Sequence, residues 1–423
     1  MDRLLETVAP GRLGTGFRWL LASSWVSNLG DGIALAAGPL LVASQTRDPL
    51  LVAMAVLLQQ LPWLLFWLQA GALADRLDRR LIVVTVDLAR TAVLVLLCVA
   101  LLTEAVSVGV VLMALFFLGT AEVFADNASS TLLPMLVARS DLAVGNARLQ
   151  TGTLAANQLA GPPLGAALFA AGVIWPFAAQ AVLVGLGALL VSRIVLPAHG
   201  QRHRSGAERR LRADIVEGFR WVRHHAAVRT LILTIFIFNI TYGAAWSVLV
   251  LYATERLGMG PVGFGLLSTV MALGGLAGAA SYGWITRRVS LGDVMRIGLV
   301  IETLTHLALA LVTRPVLAVP VFFVFGAYAF IWGTTSVTVR QRAVPTELQG
   351  RVGSVNSLGH YGGMVAGAAL GGVLARQWGV TAPFWFAFAG SAVFLVVICG
   401  QLRHIAHGDG AHGDGAHVPP VTS

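Results

Sequence analysis

Long apolar runs recur along almost the whole chain, broken only by short segments rich in arginine, aspartate, glycine or proline. A run of about 18 or more apolar residues is long enough to cross the hydrocarbon core of a bilayer as a helix. Inside that core only helices and closed barrels satisfy every backbone polar group. The runs, at about 17–43, 50–70, 81–102, 107–128, 148–171, 174–195, 228–253, 262–285, 293–313, 316–338, 352–375 and 383–401, predict twelve transmembrane helices and an all-α membrane protein. A barrel would need alternating segments of about 10 residues, and no such alternation dominates. Only 12% of residues are charged, against about 25% in soluble domains, so a cytosolic enzyme is excluded.

The few charges are sorted along the chain. All 29 basic residues are arginine. With a cytoplasmic amino terminus, every one except Arg47, Arg256, Arg314 and Arg376 outside and Arg90 within a span falls on the cytoplasmic side, as the positive-inside rule requires. The net charge of +9 therefore reports topology, and nucleic acid is not an expected partner. Both termini are predicted to be cytoplasmic. The first run follows a polar lead and reads as a retained span, not a cleaved signal. Cys98 and Cys399 lie in separate apolar runs and offer neither a disulfide framework nor a metal-ligand spacing.

The longest break, Pro197 to about His225, divides the spans into two sets of six. The predicted organisation is a bundle over 1–196, a linker over 197–226, a second bundle over 227–402 and a disordered tail over 403–423. Within the linker Leu211, Ile215, Phe219 and Val222 recur at helical spacing opposite arginines, which predicts a surface helix held to membrane lipid, with regulation of gating as the alternative. The tail repeats His-Gly-Asp-Gly-Ala. Low-complexity drift and divalent-metal binding are both open readings there.

The two halves carry a faint duplication. Ser27-Asn28-Leu29-Gly30-Asp31-Gly32 corresponds to Phe238-Asn239-Ile240-Thr241-Tyr242-Gly243. Gly71-Ala72-Leu73-Ala74-Asp75-Arg76 corresponds to Gly283-Trp284-Ile285-Thr286-Arg287-Arg288, and Gly161-Pro162-Pro163-Leu164-Gly165-Ala166 to Gly367-Ala368-Ala369-Leu370-Gly371-Gly372. Three matches in order, at nearly one offset, predict two parallel six-helix pseudo-repeats, the layout of alternating-access transporters.

Those segments carry a resemblance. Gly71-Ala72-Leu73-Ala74-Asp75-Arg76-Leu77-Asp78-Arg79-Arg80 resembles the cytoplasmic loop signature of the major facilitator superfamily, with Asp78 where the family usually has glycine. Its second-half counterpart is degenerate at Arg287. Gly161-Pro162-Pro163-Leu164-Gly165 resembles the fifth-helix antiporter motif, with Asn157 and Ala166 replacing two glycines. With Arg340-Gln341-Arg342-Ala343-Val344-Pro345 and Gly350-Arg351-Val352, the chain is most similar to the exporter branch that includes the enterobactin exporter and macrolide efflux permeases. The resemblance implies the major facilitator fold over 17–401, a cavity lined by the first, fourth, seventh and tenth helices, and gating at the first loop motif.

An ionisable side chain inside a span costs at least about 2.5–3.5 kcal/mol at the centre, so each one is a candidate. Asp31, about 21 Å into the first helix at 1.5 Å per residue, is expected to bind the coupling proton, against a packing role satisfied by Asn28 or backbone. Glu122 is the second proton candidate. Asp126, one turn on, is expected to pair with Arg76, Arg80 or Arg90 at the gate. Asp87 and Arg90 read as a local pair, and Glu302 with His306 as an internally satisfied pair on a peripheral helix. Asp75 is expected to attract the amino terminus of the eleventh helix, with Arg76 and Arg80 pairing acids of the fourth. Gly71 belongs to the same gate. Gly161, Pro162 and Gly165 are read as a bend and close helix contact that serve gating. Asn28, Asn239, Tyr242, Trp246, Tyr328 and Trp332 mix amides with aromatic faces on the lining helices, suiting an amphipathic solute.

The function expected is secondary active transport in the bacterial cytoplasmic membrane by a monomer. Protons would exchange for an exported drug, macrolide or siderophore. Lysophospholipid transport and a non-transporting sensor of the same fold are the alternatives. No cofactor or metal is implied, and the absence of His-Glu-x-x-His and of a phosphate-binding Gly-Lys-Ser/Thr loop leaves enzymatic readings without support.

Overall fold

The computed structural model describes the backbone of residues 11–74, 76–196 and 207–407, and side-chain surroundings over 12–74, 76–196 and 215–398. Asp75 and the histidine-rich tail lie outside these residues.

Twelve helices, numbered in chain order, account for the predicted spans. The first six are α1 (Gly14–Gln45), α2 (Pro49–Ala74), α3 (Arg79–Leu102), α4 (Val108–Ser130), α5, and α6 (Trp175–Ser192). The others are α7 (Ala226–Trp246), α8 (Pro261–Thr286), α9 (Leu291–Leu311), α10 (Pro315–Ala343), α11 (Gln349–Trp378) and α12 (Ala382–His407). Ten helices among the described residues are long and apolar enough to cross a membrane, and Ala382–Ile398 is a shorter apolar one. The twelfth, α5, is composite: Leu142–Gly152, a π-helical stretch Thr153–Ala160, and Gly161–Ala171. Pro162 and Pro163 explain the π stretch, because neither supplies the N–H that would close an α-helical turn on the residues before it. The seventh apolar run is interrupted after Trp246, continuing as Leu249–Leu251 and a π turn over Tyr252–Arg256.

Local chemistry sets several boundaries. Pro49, Pro261 and Pro315 open their helices, where a missing N–H is harmless. Ser107 and Ser290 cap α4 and α9. Asp78 caps α3, accepting from the backbone N–H of Arg80 at 2.9 Å and of Leu81 at 3.3 Å. Its φ of −63° makes no demand for glycine, so the departure from the loop signature gains a cap.

The duplication is visible in packing. In the first half α1 packs on α5 and α6, α2 on α4, and α3 on α4 and α6; the second half repeats this as α7 on α11 and α12, α8 on α10, and α9 on α10 and α12. Two seams join the halves, α2 with α11 and α5 with α8, and each maps onto the other when the halves exchange.

The two ends of the bundle differ. At the end away from the linker, one apolar cluster crosses both halves, including Leu41, Val52 and Ala166 of the first and Val250, Phe264 and Ala375 of the second. At the linker end the clusters are separate: Phe17, Ile82, Leu133 and Val191 in one, Val222, Val228, Val344 and Val352 in the other. Glycines sharpen the contrast. A Cβ on Gly372 would lie 2.8 Å from Ala53 and one on Gly265 2.6 Å from Ala166, both across the boundary, whereas at Gly350 and Gly353, on the linker end of α11, it would meet nothing within 4 Å. The halves are closed at the far end and parted at the linker end.

The linker helix, Ala207–His224, packs one edge of its apolar face on the second half. Val222 is buried with Val228, Val344 and Val352, and Glu217 pairs with Arg351 at 2.6 Å. Val216 and Phe219 remain exposed. Helical periodicity identifies an apolar face but not which neighbour covers it, and α11 covers part of this one.

Candidate functional site

In the first half the charged residues of three helices converge. The Arg90 guanidinium of α3, 3% exposed, donates to Asp87 at 3.2 Å on its own helix and to Asp31 of α1. The local Asp87–Arg90 pair expected from the sequence is there, but Asp31 shares it. Asn28 is not Asp31's partner; its amide donates to Ser24 of its own helix at 2.8 Å. Helices α1 and α3 run in the same direction from the linker end, and about 17 and 11 residues at 1.5 Å rise bring Asp31 and Arg90 to mid-bundle depth.

Glu122 and Asp126 on α4 complete the cluster. Both lie within Coulombic range of Asp31 and Arg90. Glu122 is half-buried. Asp126 is exposed, one turn from the linker end of α4, where the bundle opens between the halves. Both acids also act electrostatically on Tyr361 of α11, across that opening, where Tyr361 stacks on Trp63 of α2 at 5.5 Å.

The gate pairing predicted for Asp126 and Arg80 is not what forms. Arg80 donates to the carbonyl of Ile194 at 2.8 Å, beyond α6. Arg79 reaches the carbonyls of Ala74 at 3.1 Å and Thr131 at 3.3 Å, at the ends of α2 and α4. Helix ends leave carbonyls without intrahelical donors, and these arginines satisfy them, tying the α2–α3 loop to its own half. Arg90 is committed to Asp31 and Asp87, so among the described residues Asp126 has no ion pair. Arg76 is exposed. Gly71 faces Asn127 of its own half, 3.9 Å from where its Cβ would be.

Gly161, Pro162 and Gly165 of α5 lie between α1 and α8. Cβ atoms on Gly161 or Gly165 would collide with the backbone of Gly32 and Ile33, so α1 and α5 cross in direct backbone contact. The carbonyl of Pro162 would stand 2.7 Å from a Cβ on Gly265 of α8. One motif thus touches the helix bearing Asp31 on one face and the opposite half on the other.

A second cluster lies in the second half. Tyr328 of α10 donates its hydroxyl to Glu302 of α9, and Tyr242 and Trp246 of α7 stack at 4.4 Å. Phe325 joins both, 5.8 Å from Tyr242 and 4.6 Å from Trp246. The predicted Glu302–His306 pair is absent: Glu302 takes Tyr328 instead, and neither ring nitrogen of His306 has a hydrogen-bond partner. Spacing of i and i+4 puts two side chains on one face, but here the adjacent helix supplies the stronger donor. Glu302 was therefore missed as a neighbour of Tyr242 and Tyr328; its signal was an acid facing a tyrosine on the next helix. Asn239 donates to Ile235 of its own helix at 2.6 Å, and Trp332 packs with Phe238, Leu299 and Ile398 inside the second half.

A transporter fold with charged clusters flanking an opening between two pseudo-repeats agrees with the sequence relationships. The profile of the transmembrane secretion effector family matches residues 6–420. The chain belongs to this family, within the major facilitator superfamily. The multidrug efflux pump Tap of Mycolicibacterium fortuitum is 30% identical over 382 residues, 86% of this chain and 90% of Tap. Macrolide efflux protein A of Streptococcus pyogenes is 24% identical, covering 92% and 96% of the two chains. The inward-facing crystal structure of a bacterial homologue of the iron transporter ferroportin shares the fold, with a TM-score of 0.67 at 17% identity over 92% of this chain and 98% of that one. This family member is a multi-pass transporter of the bacterial cytoplasmic membrane, similar to drug and macrolide exporters.

Proposed function

We propose that the protein exports an amphipathic small molecule in exchange for protons by alternating access, with both termini and the linker cytoplasmic. The arginine distribution supports that orientation, and it makes the conformation with parted linker ends inward-facing. The observation that carries the reading is the cluster of Asp31, Asp87, Glu122 and Asp126 around one guanidinium, Arg90. With Asp87 buried and Asp31 and Glu122 half-buried around one fixed cation, keeping every carboxylate charged is costly, so protons are the natural counter-charge, and the exposed Asp126 gives them a route.

The transport step follows from the contacts. A proton on Asp31 weakens its bond to Arg90 and frees α1 relative to α3. Backbone contact at Gly32, Ile33, Gly161 and Gly165 passes that movement to α5, and Pro162 against Gly265 passes it to the other half. Asp75, Arg76 and Gly71 would close the cytoplasmic end once the halves rock together, with Asp75 facing the amino terminus of α11. Asn28, Asn239, Tyr242, Trp246, Tyr328 and Trp332 remain the proposed solute-contacting set, as a monomer without cofactor.

The test is dye and macrolide transport in everted vesicles with an imposed proton gradient. Wild type is expected to accumulate substrate in a gradient-dependent manner and Asp31→Asn to lose it. Full gradient-driven transport by Asp31→Asn would overturn the assignment.

A further inference from the structure

The two halves compensate buried charge differently. In the first, Arg90 neutralises Asp31 and Asp87 by direct contact. In the second, Glu302 is 4% exposed, and among the described residues no arginine or histidine forms an ion pair with it; its hydrogen-bond partner is the hydroxyl of Tyr328. One turn along α9, His306 is 0% exposed with both ring nitrogens unpartnered. An unneutralised carboxylate at this depth is expensive, and so is a buried imidazole without a hydrogen bond. Glu302 lacks a cationic partner and His306 lacks a hydrogen-bond partner, and a solute that carries a positive charge and an N–H would supply both.

The surroundings narrow its chemistry. Tyr242, Trp246, Phe325 and Tyr328 form a continuous aromatic wall, with ring centroids 4.4 to 5.8 Å apart along it. Trp246 also lies 6.2 Å from the His306 ring. Aromatic faces attract a cation within about 6 Å, and the carboxylate attracts the same charge, whereas an anion would be repelled by both. Tyr242 and Trp246 are the partly exposed members, so the wall has an open side. Small hydrated metal ions suit oxygen-rich sites; one carboxylate behind indole and phenol rings suits a cation clothed in apolar groups.

We infer that Glu302, His306 and the rings of Tyr242, Trp246 and Tyr328 form a recognition site for a monovalent amphipathic organic cation. The charge of the solute sits between the Glu302 carboxylate and the aromatic faces, and an ammonium N–H can be accepted by an imine nitrogen of His306. The inference rests on the export reading for its role in transport, with the first-half cluster left to handle protons.

Equilibrium binding to the purified full-length protein tests it independently of transport. Ethidium, a permanent monocation, and Nile red, a neutral dye of comparable size, would be titrated by fluorescence against wild type and Glu302→Gln. The expected result is at least about a tenfold weaker ethidium affinity in the variant, about 1.4 kcal/mol, with Nile red unchanged. Equal affinities for ethidium, an equal loss for both dyes, or no ethidium binding by wild type would each overturn the inference. If Glu302→Gln fails to assemble, Trp246→Leu carries the test: ethidium is expected to weaken by more than Nile red, and parallel losses would overturn it. Glu302-dependent ethidium binding without gradient-driven efflux would remove the export reading and leave the site. Efflux of ethidium by Glu302→Gln at the wild-type rate would remove the site and leave export.

Discussion

Thr269 of α8 donates its hydroxyl to the main-chain carbonyl of Leu159 in α5 at 3.2 Å, across the boundary between the halves. In a regular helix that carbonyl would receive the N–H of residue 163, which is proline and has none. The proline that deforms α5 therefore creates the acceptor by which the opposite half is held. Thr269→Val should loosen closure at the far end by about 0.5–1.5 kcal/mol, the net worth of one hydrogen bond. Spin labels at the exposed positions Leu102 and Val316 should report a larger population of long distances in the variant; an unchanged distribution would show that the bond does not bias the two states.

A second link joins the halves at the same end, Arg376 to Asp48 at 3.6 Å. Both side chains are partly exposed, so the pair is worth about 0–1 kcal/mol and is screened by salt. Arg376→Glu should favour opening at low ionic strength, Asp48→Arg in the same chain should restore closure, and the difference should vanish near 1 M salt, read by the same label pair.

Removing Arg90 strands the buried Asp87 and the half-buried Asp31. Arg90→Leu is expected to lower stability by about 3–5 kcal/mol, the cost of breaking a buried pair from one side. Arg90→Lys should recover only part of it, because one ammonium cannot reproduce the guanidinium fork that serves Asp31 and Asp87 together. Thermal unfolding in detergent checks both, and wild-type stability in Arg90→Leu would refute the cluster's geometry.

The crossing of α1 and α5 admits no side chain. Gly165→Val should reduce stability by about 1–3 kcal/mol or more through overpacking against Ile33. Gly350→Ala, where nothing lies within 4 Å, should unfold as wild type does. Equal melting of the two variants would mean that the helices can part without cost.

Much of this was legible in the residues. Apolar run length gave the helices, and the Asn28/Asn239 and Gly161/Gly367 correspondences foretold packing that repeats between halves. Pairing was less legible, because sequence spacing reports neighbours along one helix and says little about facing helices. Asp87 with Arg90 was readable for that reason, whereas Asp31 with Arg90 and Glu302 with Tyr328 span different helices. Arg80 differs in another way: an acid of α4 is the partner its charge suggests, although unbonded carbonyls at helix ends, such as that of Ile194, are acceptors too.

The two seams, α2 with α11 and α5 with α8, set a limit on failure. Because exchange of the halves carries one seam onto the other, a rocking motion that spreads the bundle at one mouth presses it together at the opposite mouth. A straight-through hole would require both seams to part at once. Under the proposed exchange, wasted proton flow should therefore arise from turnover without cargo, and a variant that leaks ions at rest would have to be one in which a seam itself has come undone.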